Sequence, residues 1–284
     1  MTDLTDKKRH TYEYEVDLTA DTAPARVVRM VGQQKRVLEI GAGPGSITRH
    51  LKHASGCHVT AIELDPAAIE KLAPFCERIY QTNLNDSSWI ELLKNEERFK
   101  VVVAADVLEH LYDPLTVLRQ MTGLVSNDGC IIVSLPHVGY SAIHTCLLEE
   151  NFEYRDWGLM DRTHIRFFGI KNIQLLFENA GLKIVHAEFV IRAPEQTEFA
   201  EQWRRATPDL RRALSRNPFG QVYQVVIKAV LPHASGEVVS LMSMVPARVQ
   251  ISLRQSAKAA IRSYLSHDFR VRLGNFLRKI GVRD

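Results

Sequence analysis

The chain has 284 residues, a formal net charge of +3, and a composition that is 45% hydrophobic and 24% charged. This length can bury a full hydrophobic core, and the composition excludes a disordered or fibrous chain. The small net charge does not indicate a nucleic-acid partner. Without a long apolar run or an apolar signal-peptide core, we expect a cytoplasmic protein.

The first elements lead into a glycine-rich turn. Residues 1–22 are polar and predict an N-terminal arm over the site, with Tyr14 as a substrate contact. An amphipathic helix is expected from Ala23 to Val31. A strand beginning at Arg36 then runs into Gly41-Ala-Gly43-Pro-Gly45, and a helical pattern follows over Ser46–His53. Glycine is needed where φ is positive or where a ligand lies against the backbone, so this stretch predicts a ligand site at a helix N-terminus.

The spacing of the glycines distinguishes two nucleotide sites. A dehydrogenase turn has the pattern G-x-G-x-x-G and binds a pyrophosphate. Here the pattern is G-x-G-x-G, with Ser46 in place of the third glycine, and Glu39 precedes the turn. A carboxylate would repel a pyrophosphate but suits an ammonium group. The stretch resembles motif I of the class I S-adenosylmethionine (SAM)-dependent methyltransferases. This resemblance implies that the cofactor SAM contacts Glu39, Gly41, Ala42, Gly43 and Gly45.

The second and third predicted strands add two further cofactor contacts. His58–Leu64 predicts a strand ending at Glu63, about 20 residues beyond the glycines, where an acid binds ribose hydroxyls. Leu64 follows it, and a solvated strand-end acid is the alternative. A helix is expected over Pro66–Phe75 and a strand over Arg78–Leu84. The family resemblance places Asn83 at the adenine amino group and Leu84 against the ring, although this stretch is also typical of a turn.

The fourth predicted strand, Phe99–Ala105, runs into Asp106-Val-Leu-Glu-His-Leu. This sequence resembles motif IV of methyltransferases that act on small molecules, which places Asp106, Val107 and His110 at the methionine end of the cofactor. It differs from the (D/N)-P-P-(Y/F) form of enzymes that methylate amino groups, which favours an oxygen or carbon acceptor. His110 either shapes the pocket or acts as a base.

The remaining elements complete a doubly wound α/β sheet. We expect a helix over Leu115–Val125, a turn at 127–129, a strand over Cys130–Leu135, and closing strands over Leu182–Ile191 and Gln221–Leu231. Alternating strands and helices predict a parallel, Rossmann-like sheet with its ligand at the carboxyl ends of the strands. The family resemblance implies seven strands in the order 3-2-1-4-5-7-6.

Residues 136–168 interrupt this alternation and predict an acceptor site. The stretch Asp161-Arg-Thr-His-Ile-Arg-Phe-Phe168 resembles a subgroup of methyltransferases associated with cell-surface polysaccharide and O-antigen synthesis. A sugar hydroxyl needs a general base, and a buried polar cluster of purely structural role is the alternative. The candidate bases are three histidines, oriented by one carboxylate: His137, His144, His164 and Asp161. The expected substrate contacts are Tyr140, Arg162 and Arg166.

The C-terminal part extends beyond the predicted fold. We expect a methyltransferase domain over 23–231, with helices over 194–220 that form a cap, and an extension over 232–284. Residues 251–284 combine basic and apolar side chains at helical spacing. They could bind an anionic membrane surface or a glycosyltransferase, or pack on the domain or on a second subunit.

Together these patterns predict a SAM-dependent O-methyltransferase acting on a glycan or sugar-nucleotide hydroxyl. The alternatives are an O- or C-methyltransferase of an aromatic or quinone-like molecule, and a SAM-binding scaffold without catalysis. No spacing of carboxylates and histidines predicts a metal site, so none is expected.

Overall fold

A computed structural model describes residues 12–246. The helices and strands are, in chain order, α1 (Ala23–Val31), β1 (Arg36–Ile40), α2 (Thr48–His53), β2 (His58–Glu63), α3 (Pro66–Leu72), β3 (Arg78–Gln81), β4 (Phe99–Ala105), α4 (Pro114–Thr122), β5 (Val125–Pro136), α5 (Ser141–Leu148), α6 (Ile170–Asn179), β6 (Lys183–Ile191), α7 (Ala200–Arg205), α8 (Pro208–Leu214), β7 (Val222–Val230) and α9 (Leu241–Met244). Short 3-10 segments lie at Ala73–Phe75, Ser87–Leu93, Leu108–His110 and Pro194–Gln196. No helix within 12–246 is long and apolar enough to cross a membrane.

These residues divide into two compact units. The first comprises 12–139, 153–190 and 222–246 and contains the sheet. The second comprises 140–152 and 191–221 and contains α5, α7 and α8. The helices expected within 194–220 are therefore confirmed, whereas α5 is a helix that the irregular sequence of 136–168 did not predict.

The sheet has the predicted order β3-β2-β1-β4-β5-β7-β6. Strands β1 to β5 pair in parallel, and β7 pairs antiparallel with β5. The carboxyl ends of the five parallel strands therefore lie along one edge. Since the order reverses between β1 and β4, the crevice expected at this reversal is at the ends of those two strands.

The strands of the first unit are nearly continuous runs of aliphatic residues because their side chains lie in its hydrophobic core. Helix α1 begins where Thr22 Oγ1 accepts a hydrogen bond from the Ala25 amide and ends at Gly32, whose φ is +77°. Its buried side chains join side chains of the central strands in one cluster. That cluster includes Ala23, Val27, Val28, Val31, Val37, Val59, Val101 and Ile132. Each buried valine contributes roughly 1.5–3 kcal/mol, which fixes the position of β1 and of the turn that follows it.

The prediction of a turn at 127–129 is wrong. Residues 125–136 form one strand, and the pairing with β4 advances from Phe99↔Val125 to Val101↔Cys130. Four residues of β5, 126–129, therefore lie opposite the single residue Lys100 of β4, so the Asn-Asp-Gly sequence lies in a bulge rather than between two elements. A Cβ at Gly129 would lie 2.7 Å from the carbonyl oxygen of Lys100, which explains why this bulge needs glycine.

Other boundaries shift by a few residues. Helix α2 begins at Thr48 rather than Ser46, and β3 ends at Gln81, three residues before the predicted end. The helix expected over Leu115–Val125 ends at Thr122 because Val125 already pairs in β5. Residues 1–11 of the predicted arm and the basic stretch 251–284 lie outside the described residues, so the predicted membrane and partner contacts of that stretch stay predictions.

Candidate active site

The glycine turn after β1 is shaped by three residues with positive φ, Gly41, Gly43 and Gly45. A Cβ at Gly41 would lie 2.7 Å from Val107 Cγ2, and one at Gly45 would contact Phe75 and Leu72. At Gly43 a Cβ would meet nothing within 4 Å. Two of the glycines are therefore required by close packing, whereas Gly43 faces open space in which a ligand can approach the backbone.

Glu39 lies at the end of β1, and its side chain is buried, with 2% of its surface exposed. Its Oε2 accepts a hydrogen bond of 2.7 Å from Thr48 Oγ1. Burial, opposed by the Thr48 hydrogen bond and reinforced by the charge of Glu63, raises the pKa of Glu39 to about 7. A carboxyl group in this state gains from a nearby cation, as the predicted contact with the SAM ammonium requires.

Glu63 lies at the end of β2 and is held by backbone amides. Its Oε2 accepts from the Gly43 amide at 2.6 Å, and its Oε1 accepts from the amides of Leu64 and Asp65 at 2.7 and 2.9 Å. The predicted ribose contact therefore lies directly beside the glycine turn. Leu64 is 54% exposed, as expected of a side chain with room to contact a ligand.

The residues after β3 form a turn. Asn83 Oδ1 accepts from the Asn85 amide at 3.0 Å, and Asn85 Oδ1 accepts from the Tyr112 amide at 2.8 Å. The side chain of Asn83 thus has the turn role that the sequence offered as an alternative, while Leu84 beside it is partly buried. Adenine contacts for these two residues stay predictions.

Asp106 follows β4 with a φ of +54°, an uncommon conformation for a residue other than glycine. Its carboxylate accepts hydrogen bonds of 2.9 Å from Ser134 Oγ and from Gln224 Nε2. Burial, opposed by these two hydrogen bonds, raises its pKa. Non-glycine residues with positive φ persist where surrounding contacts hold them, and they are enriched at functional sites.

A polar cluster follows Asp106 and joins it to the predicted acceptor segment. Thr163 Oγ1 contacts Asp161 Oδ1 at 2.7 Å and His110 Nδ1 at 3.0 Å. The rings of His110 and His164 lie 4.8 Å apart, and His164 Nε2 lies 3.9 Å from Glu109 Oε1. The structure therefore brings together the predicted residues Asp161, His164 and His110.

Glu109 is the unexpected member of this cluster, because it is completely buried and neither carboxylate oxygen has a hydrogen-bond partner among the described residues. Burial, followed by the charge of Asp106, raises its pKa well above the usual range. Burial also lowers the pKa of His164. One donor atom from each of Glu109, His110 and His164 lies within 4.8 Å of the others, so these three residues could hold a metal ion.

The described part of the N-terminal arm contacts this site, while a substrate contact for Tyr14 stays a prediction. The Tyr14 amide donates to Ser46 Oγ at 3.0 Å, and the Tyr12 hydroxyl donates to Asp161 Oδ2 at 3.3 Å. Loss of solvation, followed by the charges of Asp106 and Glu39, raises the pKa of the Tyr14 hydroxyl. The arm therefore contacts both the glycine turn and the segment predicted to bind the acceptor.

Five predicted site residues have other contacts. His137 Nδ1 contacts the Val222 carbonyl, and Arg166 donates to the Tyr112 carbonyl. Within the second unit, the buried Tyr140 donates to the Arg192 carbonyl, and His144 Nδ1 contacts the Tyr140 carbonyl. Arg162 is exposed and forms an ion pair with Asp156 at 2.8 Å. Catalytic or substrate-binding roles for these residues stay predictions.

Sequence reasoning missed several residues that shape the site, namely Glu109, Thr163, Tyr12, Ser134 and Gln224. Glu109 and Thr163 lie inside the two motifs that begin at Asp106 and Asp161, but a motif does not reveal which of its residues are buried. Gln224 lies 118 residues after the carboxylate to which it donates. No signal in the local sequence could have identified it.

The sheet order, the glycine turn and the acid at the end of β2 together define a class I SAM-dependent methyltransferase. A family model described as a methyltransferase domain matches residues 12–187, and the chain belongs to this family. Its cofactor is SAM. The open space at Gly43 and the adjacent carboxylate of Glu63 fit that group.

Two curated relatives are named ubiquinone biosynthesis O-methyltransferase. The one from Haemophilus ducreyi is 31% identical over 106 residues, which are 35% of this chain and 44% of that protein. The one from Coxiella burnetii is 23% identical over 168 residues, which are 58% of this chain and 70% of that protein. The matched region thus spans less than half of the first relative. The comparisons support the methyltransferase family, and the resemblance to the polysaccharide subgroup stays a prediction.

Solved structures share the fold at low identity. A SAM-dependent methyltransferase from Thermotoga maritima has a TM-score of 0.50 and 16% identity, covering 73% of this chain and 87% of that one. The [4+2]-cyclase SpnF has a TM-score of 0.50 and 14% identity, covering 77% and 86%. These likenesses support the sheet architecture alone, because the same fold carries unrelated reactions.

Proposed function

We propose that this methyltransferase transfers the methyl group of SAM to a hydroxyl oxygen of a small molecule. The observation that carries this proposal is the buried imidazole of His164, a proton acceptor that lies against His110. The two rings are 4.8 Å apart, and His110 lies four residues after Asp106, whereas the buried carboxyl of Glu109 keeps its proton because burial raises its pKa. A hydroxyl is a weak nucleophile at neutral pH, so removing its proton needs such a group.

Each part of the cofactor crevice has its own part in binding SAM or in positioning the methyl transfer. Bound SAM supplies a methyl group on a positively charged sulfur. The carboxylates of Glu39 and Glu63 bind the ammonium and the ribose hydroxyls, and the backbone at Gly43 allows close approach. The Tyr12–Val16 segment excludes water from the crevice, which favours in-line transfer between two positioned groups.

Two acceptor classes have separate support. The names of the curated relatives favour an aromatic or quinone-like hydroxyl. Exposed aromatic side chains near the acceptor segment fit such a molecule, among them Tyr112, Trp157 and Phe167, which are 70%, 59% and 47% exposed. The likeness of Asp161–Phe168 to the polysaccharide subgroup favours a sugar hydroxyl instead. We place the aromatic hydroxyl first because the matches to these relatives cover 35% and 58% of this chain, whereas the likeness to the polysaccharide subgroup rests on the eight residues Asp161–Phe168.

The test is formation of S-adenosylhomocysteine from SAM with two hydroxyl acceptor panels, dihydroxybenzoates and methyl glycosides, and with a panel of primary amines for comparison. Turnover with one panel identifies the acceptor class, and the position of the new methyl group identifies the reacting atom. His164→Asn should lower turnover while SAM binding is kept. Transfer to amines but not hydroxyls would overturn the proposal. SAM binding without turnover on either panel would favour the scaffold alternative.

A further inference from the structure

A buried carboxyl group without hydrogen-bond partners can ionise only where another group compensates its negative charge. Glu109 is 0% exposed, and neither Oε1 nor Oε2 has a hydrogen-bond partner among residues 12–246. The charges of Asp106 and Asp161 add repulsion to a negative charge on Glu109. A bound cation would satisfy both oxygens and offset this negative charge.

The two histidines of the cluster are oriented as metal ligands usually are. His110 Nδ1 lies 3.2 Å from the Thr163 carbonyl, and His164 Nδ1 lies 3.3 Å from the Leu159 carbonyl. A carbonyl only accepts, so each Nδ1 carries the hydrogen and each Nε2 keeps its lone pair. Anchoring one ring nitrogen on a carbonyl leaves the other for a metal and fixes the direction of the ring.

The main chain holds the two segments that carry these ligands together. The amides of Ile165 and Arg166 both donate to the backbone carbonyl of Glu109, at 2.9 and 3.0 Å. One donor atom from each of the three side chains lies within 4.8 Å of the others, and the contact between Glu109 and His164 is 3.9 Å. Ligands about 2.0–2.2 Å from a common ion lie roughly 3–4 Å apart, so small rotations of the side chains would complete the site.

We propose that Glu109, His110 and His164 bind one divalent transition-metal ion through two imidazole nitrogens and one carboxylate. This donor set suits zinc, cobalt or iron, and it does not suit magnesium, which prefers oxygen ligands. Three protein ligands leave a coordination position open. If the proposed O-methylation is correct, the acceptor hydroxyl binds at this position, and the ion, in place of His164 as a free base, lowers the pKa of that hydroxyl.

Asp161 and Thr163 orient the proposed ligand His110 without binding the ion themselves. Thr163 Oγ1 donates to Asp161 Oδ1 at 2.7 Å and can accept from His110 Nδ1 at 3.0 Å. The chain of contacts from carboxylate to hydroxyl to imidazole supports the same ring direction as the Thr163 carbonyl does. Partners of this kind raise the basicity of a histidine ligand.

The experiment is a titration of the chelator-treated full chain with Co²⁺, followed by its visible absorption and by calorimetry. We expect one Co²⁺ per chain, an absorption band of a nitrogen- and oxygen-ligated ion, and displacement by Zn²⁺ but not by Mg²⁺. Glu109→Gln and His164→Asn should each weaken Co²⁺ binding roughly 100-fold. Glu109→Gln removes a buried charge and keeps the side-chain size, so it should fold even if His164→Asn does not.

A second histidine–glutamate contact supplies the matched control. His58 Nδ1 lies 2.5 Å from Glu77 Oε1 at an exposed position far along the sequence from the cluster, and His58→Ala should leave Co²⁺ binding unchanged. Failure to bind Co²⁺ stoichiometrically, or equal binding by wild type and Glu109→Gln, would overturn the metal site. Neither readout needs an acceptor, so failure of the metal site and failure of the proposed methylation are distinguished.

Discussion

Replacing Glu39 by glutamine should stabilise the protein at alkaline pH. The carboxyl is 2% exposed, and its pKa is raised to about 7 by burial, the largest cause, and by the charge of Glu63. Glutamine has the same shape, and its carbonyl oxygen can still accept from Thr48 Oγ1. The substitution therefore removes the ionisation of this buried group and little else.

The sign and size follow from the two pKa values. In the unfolded chain the pKa of Glu39 is near its ordinary value of 4.5, while in the folded protein burial raises the pKa to about 7. Stability is therefore highest below the unfolded pKa and falls as the pH rises towards the folded pKa. A difference of about 2.5 units corresponds to about 3 kcal/mol at pH 8, of which about 2 kcal/mol develops between pH 5.5 and 8.

The assay is urea unfolding of wild type and Glu39→Gln without cofactor at both pH values. The free energy of unfolding falls by about 2–3 kcal/mol per molar urea. The difference in urea midpoint between Glu39→Gln and wild type should therefore be roughly 0.7–1 M larger at pH 8 than at pH 5.5. Thr48→Val, which removes the hydrogen bond but not the ionisation, serves as the comparison. An advantage that is the same at both pH values would refute the buried ionisation.

Three further substitutions test the contacts around the site. Gly41→Ala should lower the free energy of unfolding by at least about 2 kcal/mol, because the φ of residue 41 is +65° and the new Cβ would lie 2.7 Å from Val107. Urea unfolding measures this loss, and a variant as stable as wild type would contradict the prediction. Gln224→Leu leaves one oxygen of Asp106 without a donor and should cost about 1–3 kcal/mol in the same assay, whereas no loss would mean that the bond is unimportant. Tyr12→Phe should speed amide hydrogen exchange over residues 12–16, because the contacts of the hydroxyl with Asp161 and Thr163 disappear. Unchanged exchange would mean that these contacts do not hold the segment in place.

Regular local patterns made the sheet predictable. The aliphatic run of Phe99–Ala105 became β4 with the predicted bounds, because a strand buried on both faces needs no polar residues. The turn predicted at 127–129 failed for a complementary reason. Asn-Asp-Gly favours a local reversal, but pairing with β4 keeps the segment in the strand as a bulge, and that pairing depends on residues far away in sequence.

The cofactor half of the site was more predictable than the acceptor half. Gly43 follows β1 and Glu63 ends β2, the next strand, as the family resemblance implies. A hydrogen bond of 2.6 Å joins the two residues. The contact of Tyr12 with Asp161 joins residues 149 positions apart, and sequence spacing carries no information on it. The burial of Glu109 likewise depends on the acceptor segment packing over a loop, which tertiary structure alone decides.

The central claim is that SAM binds against the glycine turn at the carboxyl edge of the sheet. Gly43 and Gly181 provide a matched pair, since φ is +55° and +75° and a Cβ would meet nothing within 4 Å at either position. Alanine should cost each variant about 1 kcal/mol of backbone strain. Only Gly43 faces the proposed cofactor, because Gly181 follows α6.

Calorimetric titration of SAM into wild type, Gly43→Ala and Gly181→Ala is therefore the most direct measurement. We predict that Gly43→Ala binds SAM at least about tenfold more weakly than wild type, a loss of about 1.4 kcal/mol, and that Gly181→Ala binds it as wild type does. Equal affinity in all three proteins, or no binding by wild type, would contradict the cofactor site.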